Sequence, residues 1–501
     1  MRKRKWLFTV LSLVLCTGIL TSCSGAGMFG GIGAGDAMGN LNGEFGGEEY
    51  TEIVENAFIK TSEQPSSYFS IDANTASYPN LRSLINNGAT NIPKDAVRVE
   101  EMLNYFEYDY ATPKGDNILA LTSSVFDTPY NSETKLLTIG LAAKEVEFTE
   151  QSNNIVFLID VSGSMNSADK LPLVQASFSM LAENLNPTDR VSIVTYAGED
   201  SIALEGAFGY EQKKIVGTIE DLAAGGSTAG SKGIKTAYAL AEKYFIEGGN
   251  NRVILATDGD FNVGLSIVED LERFISRKRE SGVYFSVFGF GHGNIKSDKM
   301  ETLALNGNGT YSYIDSLTEA RRALVTNIGG TMLTVAKDVK AGITFNPAYV
   351  ESYRLIGYEN KLLTQEEFEN DATDAGELGS GHTVTVVYEI KLAEPTEACE
   401  DFFGEVVIKY KPTENSGGAQ EESKEASLIV PLSAYHKTPT DNDKFVASVV
   451  EFALLLRDSQ YKGDANFTAL IKRLNSLNLS GDEFKTEFRD LVKTYYTNTL
   501  G

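Results

Sequence analysis

The stretch Asp160–Ser164, with the sequence Asp-Val-Ser-Gly-Ser, decides the fold because of the residues that precede it. Residues 154–159 (Asn-Ile-Val-Phe-Leu-Ile) are apolar without interruption after the asparagine and rich in β-branched side chains. Such a run is typical of a strand buried on both faces, as in a parallel sheet packed between helices. Ligands of such sheets bind beyond the carboxyl ends of the strands, where this carboxylate and these two hydroxyls leave the sheet. All three are hard oxygen donors, so the stretch favours a Mg²⁺ or Ca²⁺ site over a zinc or copper site.

Strand and helix patterns alternate across residues 154–332. Residues 190–196, 252–256 and 283–289 are predicted as further buried strands. The segments between the strands carry apolar residues at helical spacing, as at 234–245. This alternation implies right-handed crossovers and a mostly parallel, doubly wound sheet, so the predicted fold class is α/β.

The chain changes character on both sides of this central segment. Residues 119–126 and 135–142 before it, and residues 384–390 and 406–410 after it, alternate apolar and polar side chains as half-buried strands do. The later strands form a β-rich module. We hypothesise that they pair with the earlier ones, which would make the central segment an insertion.

Helical patterns flank the strands. Residues 76–85 and 95–106 are predicted as two N-terminal helices, the second ending in an aromatic cluster. Near the end of the chain, apolar residues share one helical face at 445–456, 467–474 and 484–495. The predicted architecture is therefore an α/β domain with a flanking β-rich module and three C-terminal helices.

Charge and histidine content exclude two classes of function. The 501 residues carry a formal net charge of −25, whereas nucleic-acid binding needs a basic patch. The acidic balance favours cationic partners or bound metal ions. Catalysis is not expected, because His292, His382 and His436 form no spaced pair and none has a candidate nucleophile beside it.

The first 23 residues have the anatomy of a secretory signal, with a basic start at 1–5 and an apolar stretch at 6–20. The ending Leu-Thr-Ser-Cys resembles the bacterial lipobox, in which the cysteine becomes the lipidated first residue. The resemblance implies cleavage before Cys23 and anchoring at the extracytoplasmic face of the cell membrane. The alternative is an uncleaved anchor with an incidental cysteine. The glycine-rich segment that follows is predicted to be a flexible tether.

Two further segments bring oxygen ligands towards Asp160. Gly225–Gly230, which contains Thr228, precedes a helix, and Ala256–Asp260, which contains Asp258, ends a strand. Because both aspartates follow the carboxyl ends of strands, we expect them on one edge of the sheet, with the threonine approaching from the neighbouring loop. Each piece alone is weak evidence, since Asp-x-Ser-x-Ser and Asp-Gly are common turn and cap sequences.

Taken together and in this order, the five residues resemble the von Willebrand factor type A (VWA) domain and its metal-ion-dependent adhesion site (MIDAS). They are Asp160, Ser162, Ser164, Thr228 and Asp258. The resemblance implies that both serine hydroxyls bind a cation directly, and that the threonine and the aspartates bind it directly or through water. The expected ion is Mg²⁺, with Ca²⁺ or Mn²⁺ as alternatives. A partner protein would complete the coordination with an acidic side chain.

The resemblance extends beyond the central segment. Residues 74–78, 99–106, 354–360 and 381–385 look like the leader and the following module of a bacterial family of VWA lipoproteins. In domains of this type the last helix shifts when a partner binds, and here that helix would lie near residues 316–332.

Six segments are predicted from these patterns. They are a lipoprotein signal peptide (1–23), a glycine-rich tether (24–65), an N-terminal VWA-associated region (66–150), the VWA domain (151–335), a β-rich module (336–438) and a C-terminal helical segment (439–501). The expected function is that of a membrane-anchored lipoprotein that binds a protein partner through the MIDAS. The alternative is a structural component of the cell envelope in which the metal only stabilises the domain.

Overall fold

The computed structural model describes residues 50–147, 152–226, 230–259, 265–292, 296–394, 401–413, 416 and 422–500. The signal segment with Cys23, the first part of the predicted tether and Thr228 lie outside the described residues.

The strands and helices are named in chain order. The strands are β1 (Ile59–Lys60), β2 (Ser66–Ser70), β3 (Leu119–Asp127), β4 (Lys135–Ala143), β5 (Asn153–Asp160), β6 (Arg190–Ala197), β7 (Glu199–Phe208), β8 (Asn250–Thr257), β9 (Val283–Phe290), β10 (Tyr311–Ile314), β11 (Thr334–Phe345), β12 (Val350–Ile356), β13 (Leu362–Leu363), β14 (Gly376–Gly379), β15 (Thr383–Leu392), β16 (Phe402–Pro412), β17 (Lys424–Pro431) and β18 (Tyr435–His436). The helices are α1 (Ser77–Asn86), α2 (Val99–Asn104), α3 (Leu171–Glu183), α4 (Gln212–Glu220), α5 (Gly230–Lys243), α6 (Leu265–Arg279), α7 (Ser297–Asn306), α8 (Leu317–Arg321), α9 (Ile328–Met332), α10 (Gln365–Glu369), α11 (Asp441–Arg457), α12 (Phe467–Asn475) and α13 (Glu483–Leu500). None of the helices in the described ranges is long and apolar enough to cross a membrane.

The central domain, residues 153–332, is built on one sheet. Its strand order within the described ranges is β10-β9-β8-β5-β6-β7, and all neighbours are parallel except the antiparallel edge strand β7. Successive residues of a strand point to opposite faces, so Ile155 and Phe157 of β5 pack with α3 and α4, whereas Val156 and Leu158 pack with α5, α6 and α7. The predicted doubly wound, mostly parallel α/β fold is confirmed.

The frame, residues 50–143 and 334–500, contains two further sheets. Their strand orders among the described residues are β1-β12-β15-β4-β3-β18 and β13-β2-β11-β16-β17, with β14 beside β11. Strand β4 precedes the central domain and β15 follows it, yet they pair antiparallel, with Leu141 opposite Val384. The hypothesis that strands from both sides of the central domain pair is therefore confirmed. The exact segment boundaries stay a prediction.

Part of the predicted tether belongs to the frame. Residues 50–65 fall within the predicted flexible tether, but Ile59 pairs with Tyr353 at the edge of a frame sheet. The hydroxyl of Thr61 also donates a 2.6 Å hydrogen bond to the carbonyl oxygen of Val350. Backbone pairing and a buried hydrogen bond from the Thr61 hydroxyl therefore hold this part against the frame. The composition of the segment does not predict these contacts.

The N-terminal and C-terminal helices of the frame share one core, in which Phe106, Phe445 and Phe488 pack with ring centroids 4.9–5.5 Å apart. The three predicted C-terminal helices are present as α11, α12 and α13. The predicted helix at 95–106 is interrupted. Arg98 is extended and its backbone N–H donates to the hydroxyl of Ser77, so helix α2 begins only after it.

The last helix of the central domain, predicted near residues 316–332, is also interrupted. It consists of α8, a π-helical turn at Arg322–Thr326 and the short α9. The backbone N–H of Asn327 donates to the carbonyl oxygen of Arg322, five residues earlier. A Cβ atom on Gly379 would lie 1.8 Å from the carbonyl oxygen of Gly330. The backbone of the frame at Gly379 therefore lies directly against the backbone of α9.

Candidate metal site

The two candidate aspartates lie on the same edge of the central sheet. Strands β5 and β8 are parallel neighbours, with Ile159 opposite Ala256. Asp160 is the last residue of β5, and Asp258 directly follows the end of β8. Both residues are at most 1% exposed. The parallel register therefore brings the two carboxylates to the same edge of the sheet, as predicted.

The loop after β5 presents the two serine hydroxyls together. The backbone N–H of Ser162 donates a 2.8 Å hydrogen bond to Oδ1 of Asp160, which folds the loop back over the aspartate. The hydroxyl oxygens of Ser162 and Ser164 then lie 3.0 Å apart. One carboxylate and two hydroxyls thus converge within five residues of sequence.

The neighbouring loop, which leads to Thr228, is attached to the serine loop by backbone hydrogen bonds. The N–H of Gly225 donates to the carbonyl oxygen of Val161 at 2.7 Å, and the N–H of Gly163 donates to that of Gly226 at 3.2 Å. Gly226 has a φ of +86°, a conformation that favours glycine. The loop therefore approaches the site as predicted, but Thr228 itself lies outside the described residues and stays a predicted ligand.

Burial dominates the electrostatics of this edge. It raises the pKa of Asp160, and the negative charge of Asp258 raises it further, while hydrogen bonds from Ser162 lower it. Two close, buried carboxylates repel each other, so a cation placed between their oxygens is electrostatically favoured.

A buried lysine at the site was not anticipated from the sequence. Nζ of Lys170 lies 2.7 Å from Oδ2 of Asp258, and the two side chains are 10% and 0% exposed. Lys170 directly precedes α3, which carries a proline in its first turn. The position of this lysine in the sequence could have drawn attention to it, because it lies between the serine loop and the start of a helix that has a proline in its first turn.

His292 lies two residues after the end of strand β9, and the sequence places no candidate nucleophile beside it. Its Nδ1 is 2.8 Å from Oδ2 of Asp169, the residue before Lys170. The imidazole is 56% exposed. This exposed pair contributes little to stability, and it contacts none of the candidate ligands that the structure describes.

The residues present are chemically suited to a hard divalent cation. Two carboxylates and two hydroxyls supply oxygen donors only, which is the ligand type that Mg²⁺ and Ca²⁺ prefer. Within the described ranges, no group of three or more His, Cys, Asp or Glu residues could hold a metal ion. A metal at this edge would therefore depend on the serine hydroxyls as well as on the two aspartates.

Comparisons with known proteins place these features in a family. The family described as von Willebrand factor type A domain matches residues 154–326, one described as von Willebrand factor matches residues 44–138, and one described as Uncharacterized protein YfbK, C-terminal, matches residues 330–497. YfbK of Escherichia coli (strain K12) is 37% identical over 445 residues, which cover 84% of this chain and 76% of YfbK. The chain belongs to the YfbK-like VWA family.

Other similar proteins share smaller parts of this YfbK-like chain. Protein sll0103 of Synechocystis is 29% identical over 213 residues, which cover 41% of this chain and 48% of sll0103. Among solved structures, a von Willebrand factor type A protein from Catenulispora acidiphila is 16% identical with a TM-score of 0.41, and the match covers 76% of this chain and 87% of that one.

Proposed function

We propose that this YfbK-like protein binds a partner protein through a divalent cation, with Mg²⁺ as the expected ion. The proposed ligands are Asp160, Ser162, Ser164, Thr228 and Asp258. The observation that carries the proposal is the convergence of two carboxylates and two hydroxyls at one edge of the central sheet. VWA domains are often involved in protein–protein interaction, which agrees with this assignment.

Each described residue has a distinct part in the proposed site. The loop bond from the Ser162 N–H fixes Oδ1 of Asp160 and turns the hydroxyls of Ser162 and Ser164 towards the same point. Asp258 supplies the second carboxylate across the neighbouring strand. A bound Mg²⁺ would offer an exchangeable coordination position to an acidic side chain of the partner. No covalent chemistry is required of the protein.

The proposed location is the extracytoplasmic face of the cell membrane. We propose that Cys23 carries the lipid that anchors the protein. Replacing the cysteine (Cys23→Ala) should release the protein from the membrane fraction of the cells. Retention of the variant in that fraction would contradict lipid anchoring at this residue.

Cation binding is tested by titrating Mg²⁺ into the purified full chain and measuring the heat and the melting temperature. A ligand at 100 times its Kd stabilises the folded state by about 2.7 kcal/mol. We therefore expect a raised melting temperature in the wild type and no rise in Asp160→Ala. The exposed Asp116, replaced as Asp116→Ala, is the matched control for diffuse binding to the acidic surface. Equal Mg²⁺ binding in both variants would contradict the site.

Partner binding needs a separate experiment, because a metal could also serve only stability. The tagged protein is cross-linked in its native envelope with and without EDTA, and captured partners are compared with those of Asp160→Ala. A partner lost in both cases supports metal-dependent adhesion. A partner retained in both cases favours the alternative, a structural envelope component in which the metal only stabilises the domain.

A further inference from the structure

Lys170 places a positive charge inside the proposed metal site. We infer that Lys170 is the internal counter-ion of Asp258 and that a divalent cation must compete with its ammonium group for this carboxylate. The inference rests on the proposed function, and it concerns how tightly the same site holds its ion.

The contact between the two residues is a direct, buried ion pair. Nζ of Lys170 lies 2.7 Å from Oδ2 of Asp258, and the carboxylate side chain is fully buried. A buried ammonium is costly unless it is paired, and so is a buried carboxylate. Each charge therefore satisfies the other, and a metal that takes Asp258 as a ligand must offset the loss or weakening of this pair.

The path of the lysine chain is shaped by its neighbours. Gly291 has a φ of +74°, and a Cβ atom at this position would lie only 2.5 Å from Cγ and 2.6 Å from Cε of Lys170. The hydroxyl of Tyr313, which is 2% exposed, donates a 2.9 Å hydrogen bond to the carbonyl oxygen of Gly291. The methylene chain therefore runs against a glycine backbone that a buried tyrosine holds in place, unlike a lysine lying on the surface.

The charges give this arrangement a functional consequence. Asp160 and Asp258 carry two formal negative charges, which a divalent cation alone would neutralise. Lys170 adds one positive charge, so the loaded site keeps a net positive charge while the ion itself is held less tightly. Such a site favours an acidic partner group and releases its ion more readily.

Replacement of the lysine by methionine (Lys170→Met) tests the inference, because methionine keeps most of the chain that packs against Gly291 but has no charge. With Mg²⁺ as the only ligand, calorimetric titration of the full chain at pH 7.5 should show a Kd lower by about tenfold or more. In EDTA the variant should melt at a lower temperature than the wild type, because the buried carboxylate of Asp258 loses its ion pair with Lys170. The rise in melting temperature on adding Mg²⁺ should then be larger.

Two further variants make the outcome unambiguous. Lys243→Met removes a lysine from an exposed ion pair with Glu205 and should leave both quantities unchanged. Lys170→Arg keeps the charge and should keep the Mg²⁺ affinity within about threefold of the wild type. If Lys170→Met does not fold, as judged by circular dichroism, Lys170→Gln takes its place with the same expectation.

The result that overturns the inference is equal or weaker Mg²⁺ binding in the neutral variant of Lys170. That result would make the lysine a positioning residue that holds Asp258 for the metal, or a residue without effect on the ion. It would leave the proposed metal site intact, since the wild type would still bind Mg²⁺. Absence of Mg²⁺ binding in the wild type and in every variant would instead contradict the proposed function itself.

Discussion

The central domain and the frame are connected in opposite ways. Along residues 153–332, successive strands of the central sheet are joined by a hairpin or by a connection that contains one or two helices. The frame instead pairs strands that are separated by the whole central domain, as in the pairing of Leu141 with Val384. The proposed site is therefore assembled within the central domain, whereas the frame sheets form only when segments from both sides of that domain meet.

A buried charge network joins the two regions. Arg82 of helix α1 in the frame pairs with Asp315 at 2.5 Å and with Glu319 at 3.0 Å, both in the central domain. The same guanidinium pairs with Glu487 of helix α13 at 2.8 Å. Three segments that are far apart in sequence thus meet at one arginine. Replacing this arginine tests how strongly the two regions are coupled.

The largest effects are expected from core truncations, one in each region. Phe157→Ala removes a ring that stacks on Phe178 in the central core, and Phe106→Ala removes a ring that packs on Phe445 in the frame. Each truncation should cost about 3–5 kcal/mol of unfolding free energy. If the two regions unfold separately, calorimetry should show two transitions. Phe157→Ala should lower the midpoint temperature of one, and Phe106→Ala should lower that of the other.

A single transition that both truncations lower equally would contradict separate unfolding. In that case the network around Arg82 would couple the two regions into one cooperative unit. Mg²⁺ added to the same samples identifies the transition of the central domain, because only that transition should rise with the ion.

Breaking the network itself should have the next largest effect. Arg82→Met leaves Asp315 buried without its arginine, while Glu319 keeps its pair with Arg322. The loss should cost about 3 kcal/mol in urea unfolding. The matched control is Arg273→Met, since Arg273 and Asp270 form a pair with both side chains more than half exposed. That control should change the unfolding free energy by less than about 0.5 kcal/mol. An unchanged urea midpoint in Arg82→Met would show that the two regions are held together by other contacts.

A smaller effect on stability, dependent on pH, is expected from His382, which lies where the frame meets helix α9. Burial, with a smaller contribution from the positive charge of Arg322, lowers the pKa of His382 from 6.5 to about 4. Between these pH values the unfolded chain binds the proton and the folded chain does not, so stability is lost as the pH falls from 6.5 towards 4. Above pH 6.5 both states are neutral at this residue, and it makes no contribution to the pH dependence.

The test compares the wild type with His382→Gln by urea unfolding at pH 7.5 and pH 4.5. Other groups titrate equally in both proteins, so the difference between them isolates the imidazole. The wild type should lose about 2 kcal/mol more than the variant on this pH change. Equal losses in the two proteins would show that the imidazole titrates alike in the folded and unfolded chain.

The sequence by itself determined the four buried strands β5, β6, β8 and β9 of the central sheet and the edge on which Asp160 and Asp258 lie. Parallel neighbours place their carboxyl ends together, so Asp160 and Asp258 could be assigned to one edge from strand order alone. The three C-terminal helices were also predictable, because their apolar faces repeat at helical spacing.

Only the tertiary structure decided which distant groups are neighbours. The lysine at the site is an example, since the pairing of Lys170 with Asp258 joins residues 88 positions apart. The break before α2 depends on a hydrogen bond between Arg98 and Ser77. The pairing of residues 50–65 with the frame likewise joins segments that are far apart in the sequence. Local periodicity records which face of an element is buried, but it does not record which atoms of a remote segment lie against that face.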